Sequence, residues 1–368
     1  MKISNIELRI IHLPLVRPFR TSFGTQTSRE VLMIKVVDEN GVAGWAECVA
    51  MSEPLYSPEY LSGCLDLMKK FLIPALKSKT EISAEDVPVI LKPFLGGQMA
   101  KAALETAVLD AQLRSQNTSL AKYLGATKDK VECGVSVGIA NNLEALAEEV
   151  HSYVDAGYRR IKLKIEPGWD IEAVKHIRNL HPEIPLQVDA NQAYSRVDGK
   201  HLARLDEFNL LLIEQPLDEH DILGHALLAK EVKTPICLDE SIISVQSAED
   251  ALALEATSVI NIKPGRVGGY IESVKIHDVC VKNKIPVWCG GMLETGIGRA
   301  ANLALAALPG FTLPGDTSAS ARYYKRDITA PFVMDDGYLT VPTGPGIGVE
   351  PDMEFLEEIT THKEIVSN

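Results

Sequence analysis

The sequence predicts an α/β protein whose larger part is a parallel β/α barrel, preceded by a smaller α+β domain. Three observations predict it. After Val131, eight short apolar runs alternate with polar, helix-like stretches. Charged residues stand at the ends of five successive runs at a nearly constant interval. Before Val131 the pattern is first antiparallel and then helical.

The eight strand candidates are residues 133–139, 160–165, 186–189, 210–214, 236–239, 259–263, 287–289 and 311–313. The span from Val131 to about Asp327 suits a complete barrel. In the opening domain, residues 1–16 alternate polar and apolar positions (Ile6, Leu8, Ile10) as a strand does. Residues 31–37 form a second strand run, Asp38-Glu39-Asn40-Gly41 supplies turn chemistry, and residues 44–49 return beside it. From Pro58 to about Arg114 the pattern is helical. It ends in a small-residue segment whose Ala103, Ala107 and Ala111 let another backbone approach closely. The Gly- and Pro-rich tail from Ala330 is expected to pack back on the opening domain. The expected division is therefore an opening domain over 1–128, a barrel over 129–329 and a returning segment over 330–368.

At 368 residues, 46% hydrophobic and 24% charged, the chain has the make-up of an ordinary globular protein with a sizeable core. Its net charge is −13 and its basic residues are dispersed, so neither nucleic acid nor an anionic membrane is an expected partner. No signal peptide or bilayer-spanning stretch is visible. The six cysteines lie far apart with no zinc spacing, which predicts reduced, buried thiols in a cytoplasmic protein.

The five charged strand ends are Lys164, Asp189, Glu214, Asp239 and Lys263, at intervals of 25, 25, 25 and 24 residues. Each interval is one βα unit. Equivalent ends of consecutive barrel strands converge on one mouth, so these five side chains become neighbours. Helix N-caps or solvated loop charges would account for a single Asp at a strand end, but not for five matched positions. Three carboxylates gathered together repel one another unless a cation sits among them. An all-oxygen ligand set with open positions suits Mg²⁺ or Mn²⁺, leaving room for two oxygens of a substrate carboxylate.

The lysines flank the acids. Lys162 and Lys164 are two apart on one strand, so both face the mouth if either does. A cluster of cations near the metal would lower a lysine pKa, because each positive neighbour disfavours protonation, and yield a neutral amine able to act as a base. Lys164 could then exchange a proton from one side and Lys263 from the other. The metal would stabilise the charge that develops on a carboxylate when its α-proton leaves.

On the segments Lys162-Leu163-Lys164, Val188-Asp189-Ala190-Asn191, Ile213-Glu214-Gln215-Pro216, Leu238-Asp239-Glu240-Ser241 and Asn261-Ile262-Lys263-Pro264, the chain resembles the muconate-lactonizing-enzyme subgroup of the enolase superfamily. Within it, the chain most resembles the o-succinylbenzoate synthase / N-succinylamino acid racemase family. That narrower likeness rests on KLKIEPGWD (162–170), KPGRVGGY (263–270), CGGMLETGIGRAAN (289–302), PGDTSAS (314–320) and PFRTSFGT (18–25). The resemblance covers essentially the whole chain.

It implies a (β/α)7β barrel with an α+β cap. It also implies one Mg²⁺ or Mn²⁺ on Asp189, Glu214 and Asp239, with Lys164 and Lys263 as the acid/base pair. In o-succinylbenzoate synthesis, a menaquinone step, the implied role of Lys164 is base and then acid in a dehydration, while Lys263 acts as a cation. In racemisation of N-succinylamino acids both lysines exchange the α-proton. Lys162, Asn191 and Glu240 are the implied supporting residues. Cap loops bearing Phe19, Phe23, Met51 and Tyr56 are expected to cover an apolar substrate and exclude water. Ser136, Gly290, Gly291 and Met292 are candidates for the acyl pocket. The expected partner is a small-molecule carboxylate, and a homo-oligomer is expected, since barrels of this type commonly associate through their outer surfaces.

Other readings carry less. Gly296-Ile297-Gly298-Arg299-Ala300-Ala301 fits a dinucleotide pattern, but it follows its strand too late and stands where the barrel is almost finished. Dipeptide epimerase and muconate cycloisomerase are the nearest enzymatic alternatives. Dipeptide epimerases use an acidic pair at the eighth strand, where this chain has only Asp316. A catalytically silent metal-binding barrel is the non-enzymatic alternative, and the presence of both lysines argues against it.

Overall fold

The structure, a computed structural model, describes residues 1–366. It opens with three antiparallel strands, β1 (Ile3–Thr21), β2 (Gly24–Asp38) and β3 (Ala43–Cys48). The β1–β2 register runs from Ile3↔Asp38 to Thr21↔Gly24 and breaks between Pro14 and Phe19. Prolines at 14 and 18 cannot donate to the ladder, which places the break there. Asp38 makes the turn into β3: its Oδ1 accepts from the Asn40 and Val42 amides at 2.9 and 2.8 Å.

The helix Gln98–Ser115 packs along β3. Gly44 makes this possible, because any side chain there would run into the Ala107 carbonyl and the Ala111 amide. The alanines at 107 and 111 thus do what their size suggests.

The second part begins with β4 (Lys130–Glu132) and continues through seven parallel strands in consecutive order: β5 (Gly134–Val137), β6 (Arg160–Lys164), β7 (Leu186–Asp189), β8 (Ile213–Glu214), β9 (Ile236–Leu238), β10 (Val259–Ile262) and β11 (Val287–Cys289). The eighth staves are residues 311–316, which close the circle without forming a regular strand. Phe311 bridges Val287 and Gly315 bridges Cys133, while the Asp316 amide donates to Cys289 O at 2.9 Å. Pro314 lacks an N–H, so the ladder expected over 311–313 is interrupted. The result is the (β/α)7β barrel. β12 (Tyr338–Thr340) pairs with β4, and β13 (Thr360–Val366) returns to pair antiparallel with β1. No described helix is long and apolar enough to cross a membrane.

Two buried cap carboxylates tie the opening sheet and helix to the barrel. Glu47 on β3 accepts from the Thr295 amide at 3.0 Å, from the Thr295 hydroxyl and from the Gly298 amide at 3.4 Å. It thereby fills the N-terminus of the helix Gly296–Ala306, the place a dinucleotide phosphate would need. Glu105 accepts from the Ile271 amide at 3.1 Å, at the start of the helix Tyr270–Lys282.

Burial pushes the Glu105 carboxyl up to about 8. Its folded pKa lies above its unfolded one, so the native state holds an extra proton between them. The stability it contributes is present below about pH 4.5 and lost as pH rises to about 8. Glu105→Gln should flatten the fall in melting temperature across that window. An unchanged slope in the variant would show that Glu105 does not titrate there.

Candidate active site

The strand register builds the site. Ser136 pairs with Lys162, Lys164 with Asp189, Asp189 with Glu214, and Glu214 with Cys237, two residues before Asp239. Lys263 follows β10 directly and caps the short helix Pro264–Val267. The five expected charges therefore meet at one end of the barrel, and all are buried. Backbone strain collects immediately beyond the acids: Asn191, Gln192 and Gln215 are non-glycine residues at φ of 41°, 69° and 37°.

Each acid is engaged by a cation. Lys164 Nζ donates to Asp189 Oδ2 and to Asn191 Oδ1, both at 2.6 Å. Lys162 Nζ lies 3.0 Å from Glu214 Oε2 and 3.3 Å from Asp189 Oδ2. Lys263 Nζ donates to Asp239 Oδ2 at 2.8 Å and to the Tyr56 hydroxyl at 3.0 Å. Arg266 pairs with the other Asp239 oxygen. Asn191 also donates to Glu240 Oε1 at 2.9 Å, while Glu240 Oε2 is buried with no partner. The two outer lysines thus hold the two outer acids, with Glu214 between.

The donor set suits a hard divalent ion, being three buried carboxylates on adjacent staves. Glu214 shows the need for one: burial first, and Asp189 second, push its carboxyl above the usual range. The arrangement is nevertheless one of ion pairs. Among the described residues no three His, Cys, Asp or Glu side chains are placed to hold an ion together. A cation entering here has to displace lysine and arginine from the carboxylates it takes.

The same pairing acts on two of the lysines, Lys162 and Lys263. Burial depresses Lys263, but Tyr56, Glu240 and Glu214 outweigh it and hold the ammonium above the ordinary lysine range. Lys162 is likewise pushed down by burial and raised further by Asp316, Glu214 and Asp189. Acids, not bases, are the nearest charges to both.

Of the four expected covering residues, Tyr56 reaches the charged cluster. Its hydroxyl touches Asp239 and Lys263, and its ring lies 4.7 Å from the Lys263 ammonium. Phe23 packs against Tyr56 with ring centroids 6.1 Å apart, which joins the two cap loops. Met51 lines a separate cavity beside Phe23, and Phe19 sits 5.8 Å from the Arg322 guanidinium at the rim.

Among the acyl-pocket candidates, Ser136 Oγ is buried without a partner. A side chain at Gly290 would strike Asn261 and Lys263, so the bare backbone lets the chain pass close to the lysine. Gly291 lies against Asp316 and Glu294, and Met292 lines a water-sized cavity with Lys263. A cleft of about 550 Å³ is lined by Met99, Ile222 and Ile243 together with Tyr56, Glu240 and Arg266 of the cluster.

The spacing rule does not single out Arg160, Asn261, Arg266 or Asp316, all of which join the cluster. Strand alternation could find two of them, since Arg160 and Asn261 lie two residues before Lys162 and Lys263. Arg266 and Asp316 come from loops, where no period applies.

Residues 145–355 match the enolase C-terminal domain-like family, and residues 5–125 match the N-terminal domain of mandelate racemase / muconate lactonizing enzyme. The chain belongs to the enolase superfamily. This superfamily member is 58% identical over 364 residues to N-succinylamino acid racemase from Amycolatopsis sp, covering 99% of both chains. It is 45% identical over 366 residues to o-succinylbenzoate synthase from Bacillus subtilis (strain 168), covering 99% of this chain and 98% of that one. The solved structure of an enolase-superfamily member from Listeria innocua Clip11262 matches with a TM-score of 0.96 at 42% identity, covering 100% and 99% of the two chains.

Proposed function

We propose that this chain removes the proton next to a substrate carboxylate, as an o-succinylbenzoate synthase, an N-succinylamino acid racemase, or both. The observation that carries this reading is the flanking of three buried carboxylates by two lysines on opposite sides, Lys164 on Asp189 and Lys263 on Asp239. The names of its relatives support the two substrates.

Asp189, Glu214 and Asp239 would hold Mg²⁺ or Mn²⁺, which when bound supplies positive charge to the substrate carboxylate as the α-proton leaves. Lys164 and Lys263 would face the α-carbon from its two sides. In racemisation one lysine takes the proton and the other delivers one to the opposite face. In dehydration Lys164 takes the α-proton and returns a proton to the departing hydroxyl, while Lys263 stays an ammonium. Asn191 orients Lys164 and links it to Glu240, and Lys162 pairs with Glu214 and Asp189 and so fixes where their carboxylates lie. Tyr56, with Phe23 packed on it, and Phe19 and Met51 would exclude water, and Ser136 with Gly290, Gly291 and Met292 would receive the acyl group.

Asp316 favours a neutral N-acyl substrate over a dipeptide. Its carboxylate is taken up by Arg160 and Lys162, so it is not free to receive a peptide ammonium. We also assign 1–128 to the cap, 129–329 to the barrel and 330–366 to the returning segment, the last two residues of its expected span to 368 lying outside the described residues, and place the protein in a reducing cytoplasm, which its six free, buried thiols suit.

The test is to give the Mn²⁺-loaded protein the hydroxycyclohexadiene precursor of o-succinylbenzoate and an N-succinyl amino acid in parallel. Metal-dependent turnover is expected, and the ratio of kcat/KM values ranks the two activities. Turnover of neither by folded, metal-bound protein would overturn the reading.

A further inference from the structure

Asp316 lies outside the five-charge ring, and none of the proton transfers above uses it. Its side chain is only 7% exposed and holds two cations at once. Arg160 donates to Oδ1 at 2.9 Å and Lys162 to Oδ2 at 2.7 Å. Arg160 is itself fixed, donating to Pro314 O at 2.9 Å and Val135 O at 3.3 Å. Trp288 fixes both cations from one side, with its ring 5.1 Å from the Arg160 guanidinium and 4.7 Å from the Lys162 ammonium. Asp316 therefore stands as a rigid acid at the closing stave.

Lys162 has three N–H donors and three acidic neighbours. Its contact with Asp316, at 2.7 Å, is shorter than those with Glu214, at 3.0 Å, and Asp189, at 3.3 Å. The ammonium is thus shared between Asp316 and the two carboxylates assigned to the metal. Any divalent ion on Glu214 and Asp189 competes with that ammonium for the same oxygens. The stronger the hold of Asp316, the weaker the competition.

We propose that Asp316 is a positioning residue that draws Lys162 toward the eighth stave and so sets the affinity of Glu214 and Asp189 for a divalent cation. The inference rests on the metal assignment made above. Asp316 acts through Lys162, not by touching the ion. Removing its charge leaves Lys162 with only Glu214 and Asp189 as acidic partners, and the ion must then displace a fully committed ammonium.

The measurement is the Kd for Mn²⁺ of the purified, substrate-free protein, read from the EPR signal of the free ion. Asp316→Asn should raise Kd about ten- to hundredfold, the usual size for loss of a residue supporting metal ligands. Lys162→Met, which removes the competitor, should lower Kd; Lys162→Gln serves if the Met variant does not fold. On either Lys162 background Asp316→Asn should change Kd by no more than about twofold, because the residue it acts through is gone. An Asp316→Asn protein that binds Mn²⁺ as tightly as wild type overturns the proposal. An equal loss with and without Lys162 overturns it too, by showing that Asp316 acts only through its own charge. Wild-type protein that binds no Mn²⁺ would instead overturn the metal assignment, and this proposal with it.

Discussion

Lys263→Ala is expected to slow racemisation by about 10²–10⁴-fold while leaving the fold intact, as loss of a positioned general base does. The fold should survive because Asp239 keeps a second cation. When the Lys263 ammonium goes, Arg266 remains paired with Asp239, and the Tyr56 hydroxyl still lies 3.2 Å from its Oδ2. The buried charge is never left alone, which is the usual reason that breaking such a pair is costly. The variant should also lose symmetry. The enantiomer whose α-proton faces Lys164 should still exchange it for deuterium with retention, and the other should not exchange at all. Proton NMR in D₂O with each enantiomer separately reads this, and far-UV circular dichroism checks the fold. Racemisation at the wild-type rate would contradict the two-base assignment.

Glu214→Gln should remove metal dependence. Glu214 is fully buried between two donors, Lys162 at 3.0 Å and the Asn261 amide at 2.8 Å. The Gln carbonyl can keep the bond from Asn261, but its NH₂ then meets an ammonium and offers nothing to a cation. Turnover should fall by about 10²–10³-fold, the size expected when one preorganised electrostatic contribution is lost. Stability gives a second reading. An ion at a hundred times its Kd stabilises the native state by about 2.7 kcal/mol. Mn²⁺ should therefore raise the melting temperature of wild type and leave that of Glu214→Gln unchanged. An equal rise in both would exclude Glu214 as a ligand.

The placement of the charged ring is legible in the sequence because a barrel repeats. One βα unit of 24 or 25 residues carries each end to the next, so Lys164, Asp189, Glu214, Asp239 and Lys263 announce their meeting by spacing alone. The close contact of β3 with the helix Gln98–Ser115 is legible for another reason, since runs of alanine and glycine permit little else.

What the sequence does not show lacks a period. Tyr56 reaches Lys263 from a cap loop 207 residues away, and Glu47 reaches Thr295 across 248 residues. The interrupted stave at 311–316 follows from Pro314, whose effect on the ladder depends on where its neighbours stand. The upward direction for Lys162 and Lys263 depends on which groups stand nearest, and the acids around them come from strands and loops far apart in sequence.

The most direct test of the central claim is α-proton exchange by the wild-type protein. An N-succinyl amino acid of single configuration is incubated in D₂O with the purified protein, once with Mn²⁺ and once after removal of divalent ions. Deuterium should enter the α-carbon and both enantiomers should appear, only when the ion is present. No exchange with the ion bound, on this substrate and on the o-succinylbenzoate precursor alike, would contradict abstraction of a proton next to a carboxylate.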